Sequence, residues 1–352
     1  MSSDLAAPEI VDLATAGDGE LARLYRLTSA IARELAPDDP PIALQASMAA
    51  WRHRNPFLRR RDWIVRDTSS RIIAHGLATY WLGQSNRHLA QAFIAVAPEQ
   101  RRRGLGRSLL ARLLADTRRE QRRLILFNER SSVKAAGAAL ARYGATVGLE
   151  NRLSRLDLER LAPSVLADFH RKAAERAQEF TLGSWVGPYP EAELVAIAEL
   201  MQVMNSAPRG SLDVEDGHIT PDQLRAGERA LAASETERWS LYARERAGGR
   251  LAGLTSLTWN PSRPILAQQQ ETLVRPEYRN HGIGRWLKAA MLEKLGRDRP
   301  EVRWIETVNA KTNAAMLKIN LELGFQPYQS VRNWQLTVER AEAYLRQCDG
   351  RC

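Results

Sequence analysis

Cysteine is nearly absent from this chain of 352 residues: the only two thiols, Cys348 and Cys352, lie at its very end. Two thiols so close to one terminus cannot staple a core, which excludes a disulfide scaffold and gives a reducing, cytoplasmic setting as the expectation. Long apolar runs are also missing. No stretch approaches the ~20 residues that cross a bilayer, so no membrane partner is expected. Met1 to Ile10 has neither a basic n-region nor an apolar h-region and does not read as a secretory signal. Histidine is scarce, and no His/Cys/Asp group has metal-ligand spacing, so no metal is expected.

What remains is an ordinary globular mixture, with 44% hydrophobic and 26% charged residues. The length is too great for one common core and suits two domains of ~150–180 residues. The formal charge is +10, carried mostly by arginine. The densest runs are Arg59-Arg60-Arg61 and Arg101-Arg102-Arg103, and the rest is spread along the chain. This dispersal argues against a nucleic-acid partner and fits a smaller polyanion such as a phosphorylated cofactor.

The sequence repeats itself. Phe93 to Arg107 (FIAVAPEQRRRGLGR) and Glu271 to Arg285 (ETLVRPEYRNHGIGR) align without a gap at an offset of 178 positions. Val, Pro, Glu, Arg, two Gly and a final Arg coincide. Downstream, Gly144 and Gly324 each close a helical pattern at an offset of 180. Two motifs at nearly one offset, with the pattern between them preserved, identify a tandem duplication.

Each copy reads alike. In the first, apolar periodicity predicts helices over 18–36, 42–54, 106–120 and 133–143. Alternation predicts strands over 62–67, 71–81, 88–96, 123–128 and 151–158. In the second copy the helices fall at 190–204, 220–234, 284–296 and 312–323. Its strands fall at 238–245, 250–259, 266–274, 302–308 and 331–338. Residues 161–180 are polar and motif-free and read as a linker between domains at 1–160 and 181–342. The expected fold is α/β (α+β): a mixed, mostly antiparallel sheet flanked by helices, used twice.

A strand ending in Val, followed by Arg-x-x-Gly-x-Gly and a helix, is suited to phosphate. The glycines permit a tight loop and close approach of backbone amides, and the first helical turn adds unpaired N–H groups at the positive end of the helix dipole. A Rossmann site would need a third glycine and an acidic residue ~20 positions on, and neither copy has that spacing.

The segment Val274 to Gly284 resembles motif A of the GNAT superfamily of N-acetyltransferases. Asn309 to Phe325, where Asn opens a helix ending in Gly-Phe, resembles its motif B. The duplication is similar to tandem GNAT proteins such as mycothiol synthase and those of antibiotic gene clusters. The resemblance covers nearly the whole chain. It implies acetyl-CoA as co-substrate and a small-molecule amine as acceptor. The pyrophosphate would rest on Arg279, Asn280, His281, Gly282, Ile283, Gly284 and Arg285. Pantetheine would pair with the strand at Leu273 and Val274, with Asn313 and Asn309 nearer the acyl end. The corresponding loop of the first copy is Val96 with Arg101, Arg102, Arg103, Gly104, Leu105, Gly106 and Arg107.

Transfer to an amine needs a base and donors for the tetrahedral oxyanion, and an acid assists the leaving thiolate. By the resemblance the base lies on the strand before motif A, four or six residues before its Val. Those residues are Gln270 and Gln268, so neighbouring Glu271 is the candidate, more so if the strand bulges as is usual in the family. Glu306 is a second candidate base. The acid, a tyrosine in the family, falls at Asn320. The first copy has Phe93 at the Glu271 position, Val133 at that of Asn313 and Leu140 at that of Asn320. Two readings follow: an N-acetyltransferase working in its second copy, or a non-catalytic acyl-CoA-binding or regulatory protein.

Overall fold

The computed structural model describes residues 7–349. In chain order the elements are β1 (Glu9–Val11), α1 (Asp18–Leu35), α2 (Leu44–Arg52), β2 (Leu58–Arg66), β3 (Ile72–Trp81), β4 (Leu89–Val96), α3 (Leu105–Arg119), β5 (Leu124–Arg130), α4 (Lys134–Arg142) and β6 (Thr146–Asp157). They continue with α5 (Pro163–Arg176), β7 (Phe180–Val186), α6 (Leu194–Met201), α7 (Pro221–Ala233), β8 (Glu237–Glu245), β9 (Leu251–Trp259), β10 (Leu266–Val274), α8 (Ile283–Asp298), β11 (Trp304–Ala310), α9 (Ala314–Glu322), β12 (Gln326–Thr337) and α10 (Val338–Asp349).

The chain forms two compact units, but they do not coincide with the sequence repeat. Among the described residues, the first unit contains those up to Glu150, the segment Arg209–Glu215 and those from Ser330 to 349; the second contains Asn151–Pro208 and Asp216–Gln329. The expected boundaries at 160 and 181 are therefore corrected. The strand expected to finish the first copy pairs instead with the second copy's β11, from Asn151↔Ala310 to Asp157↔Trp304. Reciprocally, Val331–Thr337 of β12 pairs antiparallel with β5 of the first unit. The residues expected to be a linker form α5 and the start of β7, with Phe169 and Phe180 in the second unit's core. Their polar face is what the composition reported; the apolar residues that anchor them are too few to show a periodicity.

Within the first unit the strand order is β1-β2-β3-β4-β5-β12, antiparallel except for β4 and β5. Leu105, Leu109, Leu110, Leu113 and Leu114 bury the inner stripe of α3, each contributing about 1.5–3 kcal/mol of apolar burial. Helix α1 covers the opposite face through Leu21, Leu24, Leu27 and Ile31. Arg209–Glu215 joins this unit through Ser211 N–H, which donates to the Gly148 carbonyl at 2.8 Å, and through the His88 ring, 2.9 Å from the Asp213 carbonyl.

The second unit repeats the plan with the order β7-β8-β9-β10-β11-β6, in which β10 and β11 are the parallel pair. Helix α8 lies on one face. A Cβ at Gly253 would come within 2.7 Å of the Leu273 carbonyl and 3.2 Å of the Ile283 side chain, so this position in β9 must lack one. Helix α6 covers the other face through Leu194, Ile197 and Leu200.

Candidate functional site

The site forms where the parallel strands part. In the second unit β10 and β11 pair only from Leu266↔Trp304 to Gln268↔Glu306, while β10 continues to Val274 and β11 to Ala310. The first unit has the same divergence, its pairing running from Leu89↔Leu124 to Ala92↔Phe127. Beyond each point one strand edge has main-chain groups free to pair with an extended ligand.

Both divergences lead into the glycine loop. Asn280 and Gly282 have φ of 69° and 79°, and Arg102 and Gly104 have 65° and 89°. Asn and Gly are the residues that best tolerate this left-handed backbone, which turns successive amides toward the mouth of the helix. Gly282 and Gly104 precede the first residues of α8 and α3. Gly284 has ordinary φ, and a Cβ there would make ordinary contacts with Val274 and Ile319 at 3.7 and 3.8 Å.

The two loops differ in charge. Arg279 is exposed; it donates to the Val274 carbonyl (3.4 Å) and the Ser206 hydroxyl (3.0 Å), leaving its charge without a carboxylate partner among the described residues. Arg101 instead meets Glu34 of α1 in a two-point contact, Nη1 to Oε1 at 2.7 Å. That contact, above all its hydrogen bond, lowers the Glu34 pKa. A diphosphate at the first loop would have to displace a carboxylate. Tyr143 further closes this loop: its hydroxyl lies 2.8 Å from where a Gly106 Cβ would be.

Other loop residues are engaged locally. Arg285 pairs with Glu322 at 2.8 and 3.1 Å. Arg103 bonds to Gln100. His281, expected to face phosphate or solvent, packs edge-on against Phe180 at 6.0 Å between centroids. Asn313 caps α9 by accepting the Met316 N–H at 3.3 Å.

The strand before the loop carries the clearest difference between the copies. In the second unit the register of β10 against β9 slips between Gln269↔Leu257 and Thr272↔Thr255. One extra residue is accommodated at Gln270–Glu271, a β-bulge that leaves main-chain groups out of the ladder. In the first unit β4 runs against β3 from Thr79↔Gln91 to Ala74↔Val96 with no shift. Gln269 turns inward, donating to the Thr255 hydroxyl (2.9 Å) and the Ser256 carbonyl (2.6 Å), while Gln270 donates to the Thr258 hydroxyl (2.9 Å). Glu271 is half-buried, and its charge is felt by Tyr189. Burial first, then Glu271, raises the Tyr189 pKa.

Sequence reading missed this polar layer. The Ser240 hydroxyl donates to Tyr189 Oη at 3.4 Å and lies 3.2 Å from Ser256 Oγ, and the Thr255 and Thr272 hydroxyls are 2.8 Å apart. Isolated Ser and Thr in strands carry no motif; only cross-strand register brings them together.

Glu306 is buried and held by the Arg155 guanidinium, which also lies 3.9 Å from the Tyr328 ring centroid. A carboxylate so paired is a structural anion rather than a free base. Asn320 is 2% exposed. Its Nδ2 donates to Asn309 Oδ1 at 2.7 Å, and its Oδ1 has no partner among the described residues. An unsatisfied buried acceptor suits a hydrogen-bond donor on a ligand. In the first unit the Asn320 position holds Leu140, and the Asn309 position holds Glu129, fixed by Arg332 at 2.7 and 2.9 Å.

A sequence profile of the Acetyltransferase (GNAT) family matches residues 21–144, which lie in the first unit. Among solved structures, a tandem GNAT protein from the clavulanic acid biosynthesis pathway superposes with a TM-score of 0.78 at 26% identity, covering 94% of this chain and 98% of that one. A GCN5-related N-acetyltransferase from Sphaerobacter thermophilus gives 0.65 at 14% identity, covering 94% and 96%. No curated protein matches the sequence. Among the described residues no helix is long and apolar enough to cross a membrane.

Proposed function

We propose that this chain, which matches a GNAT profile over residues 21–144 and superposes on a tandem GNAT protein, works as an acyltransferase whose second unit transfers an acetyl group from acetyl-CoA to the amine of a small molecule. The observation that carries the reading is the bulge at Gln270–Glu271, set where β10 leaves β11 and lacking in β4. A pyrophosphate on the Gly282 amides and Arg279 would direct the pantetheine along β10 toward that bulge. There the amine attacks the thioester carbon directly in a ternary complex. Main-chain N–H groups released by the bulge face the oxyanion, and Glu271 takes the proton from the attacking ammonium, directly or through water. Glu306 is left out of this chemistry because Arg155 occupies it.

The first unit, with Arg101 committed to Glu34 and Phe93 in place of a carboxylate, serves as scaffold. One observation favours the alternative of acyl-CoA binding without turnover: Asn320 stands where a hydroxyl acid would, and an amide does not protonate a thiolate.

The test is CoA release from acetyl-CoA with a panel of primary amines. Turnover lost on Arg279→Ala or Gly282→Asp and kept on Gly104→Asp is the expected result. Tight binding of acetyl-CoA with no turnover on any amine would transfer the case to the non-catalytic reading.

A further inference from the structure

The bulge in β10 interrupts a ladder inside the sheet, and the main-chain groups beside it need partners. Two residues, Gln270 and Glu271, stand where β9 offers only Ser256. The Ser256 carbonyl accepts from Gln269 Nε2 at 2.6 Å, and the Glu271 carbonyl accepts from the Thr255 hydroxyl at 3.3 Å. The two side chains also meet each other, Gln269 Nε2 donating to Thr255 Oγ1 at 2.9 Å. Both are buried, Thr255 completely. Carbonyls on both strands at the interruption are thus met by side-chain donors.

The proton count closes. A hydroxyl has one proton and two lone pairs, and a carboxamide nitrogen has two protons. Both Gln269 N–H groups are used, on Thr255 Oγ1 and on the Ser256 carbonyl. The Thr255 proton goes to the Glu271 carbonyl, which can only accept. In the 2.8 Å contact with Thr272 it is therefore the Thr272 hydroxyl that donates. A buried network satisfied in this way holds one geometry. The sheet itself does not demand it. The first unit carries Gln91 at the Gln269 position, exposed on an unbroken strand. Where the second unit sets Thr255 opposite Thr272, the first sets Gly76 opposite Ile94. A Cβ at Gly76 would come within 3.1 Å of Leu109, so a threonine there would crowd α3.

We propose that Gln269 and Thr255 are positioning residues for acyl transfer: they occupy the carbonyls of the bulge and so leave its N–H groups as the main-chain dipoles open to the reacting carbonyl. This rests on the reading of the second unit as an acyltransferase. An oxygen that gains negative charge needs donors around it and is repelled by a neighbouring carbonyl. With the carbonyls covered, the opening presents donors alone, next to the point where β10 parts from β11. The amine lone pair forms the C–N bond, and the C=O π pair moves onto oxygen, where the N–H groups hold it. That pair then returns as the C–S bond breaks, and coenzyme A leaves as thiolate with the C–S electrons. The proton shed by nitrogen goes to Glu271. Gln269 and Thr255 lie within the sheet and act through the strand, not on the reacting atoms.

The experiment has two readouts on the full chain. One is steady-state kinetics with acetyl-CoA and a panel of primary amines. The other is the infrared stretch of an isotope-labelled thioester carbonyl in acetyl-CoA bound without amine. In the wild type the bound stretch is expected below its value in water. Thr255→Val and Gln269→Leu should lower kcat about a hundredfold, the order of effect of losing an oxyanion donor, with KM for acetyl-CoA within about twofold. In both, the stretch should return to its value in water. Thr255→Ser keeps the hydroxyl and should keep the wild-type kcat and stretch. A wild-type stretch that is not lowered overturns the proposal, as do unchanged kcat and stretch in the two variants. So does Thr255→Ser behaving like Thr255→Val. A rise in KM that matches the fall in kcat, or failure of both variants to fold, makes the network structural and overturns it too. A wild type that lowers the stretch but turns over no amine leaves the donors in place and overturns the transfer reading instead. One that binds no acetyl-CoA overturns the coenzyme A site itself.

Discussion

Replacing Lys288 by methionine should stabilise the protein at neutral pH and lose that advantage in mild alkali. The side chain is enclosed by apolar neighbours, and its pKa falls from 10.5 in the open chain to about 7 when folded. Below pH 7 both states hold the proton and the folded state bears the full cost of an enclosed cation. Between 7 and 10.5 the unfolded chain is protonated and the folded one is not, so wild-type stability rises with pH at up to about 1.4 kcal/mol per unit. Methionine, close in length and volume, removes the titration. The variant's advantage over wild type should therefore shrink by about 2.5 kcal/mol between pH 7.5 and 9.5. Urea unfolding at both pH values, with common m-values, measures it. A stability difference that stays level across this range would mean that the amine reaches water or a carboxylate in solution, and the reasoning from burial fails.

The remaining expectations concern the loops and the buried pairs. Arg279→Ala should weaken coenzyme A binding by about 1.5–3 kcal/mol, the worth of a charged hydrogen bond, whereas Arg101→Ala should leave calorimetric affinity unchanged. Arg155→Met should cost about 3–5 kcal/mol in denaturant unfolding, because it strands the buried Glu306 carboxylate. Asp62 is enclosed and raised in pKa by burial, but contacts from His75 (2.8 Å) and Arg60 (2.7 Å) outweigh this and leave the pKa lowered. Its stabilisation is complete above the open-chain value of about 3.9 and is lost as pH falls through the lower folded value. Asp62→Asn should thus flatten acid unfolding below pH ~4, and an unchanged acid slope would contradict the assignment.

The repeat, the two glycine loops and the strands that precede them are legible because each leaves a local mark: a spacing, a run of alternation, a glycine at a helix mouth. The features that separate the copies are not. A strand reads the same whichever sheet it joins, so the passage of β6 and β12 into opposite units is invisible to alternation. The bulge is a matter of register, a relation between β9 and β10 that neither strand carries alone. Arg101 and Arg279 look equivalent until α1 brings Glu34 to one of them. Lys288 on an amphipathic helix reads as a solvent-facing residue, and only packing shows otherwise. Glu271 and Glu306 are both offered by position alone, and the pairing of Glu306 with Arg155, far away in sequence, leaves no mark there.

The exchange of terminal strands has a consequence for synthesis and dissection. During translation the first unit's sheet must wait for residues beyond Ser330 before β5, already beside β4, gains its second neighbour, β12. A gene cut at the repeat boundary would yield two fragments, each holding a strand that belongs to the other. Such halves should be recoverable together and aggregate apart, so what was duplicated as a module is inherited, and must be engineered, as a single piece.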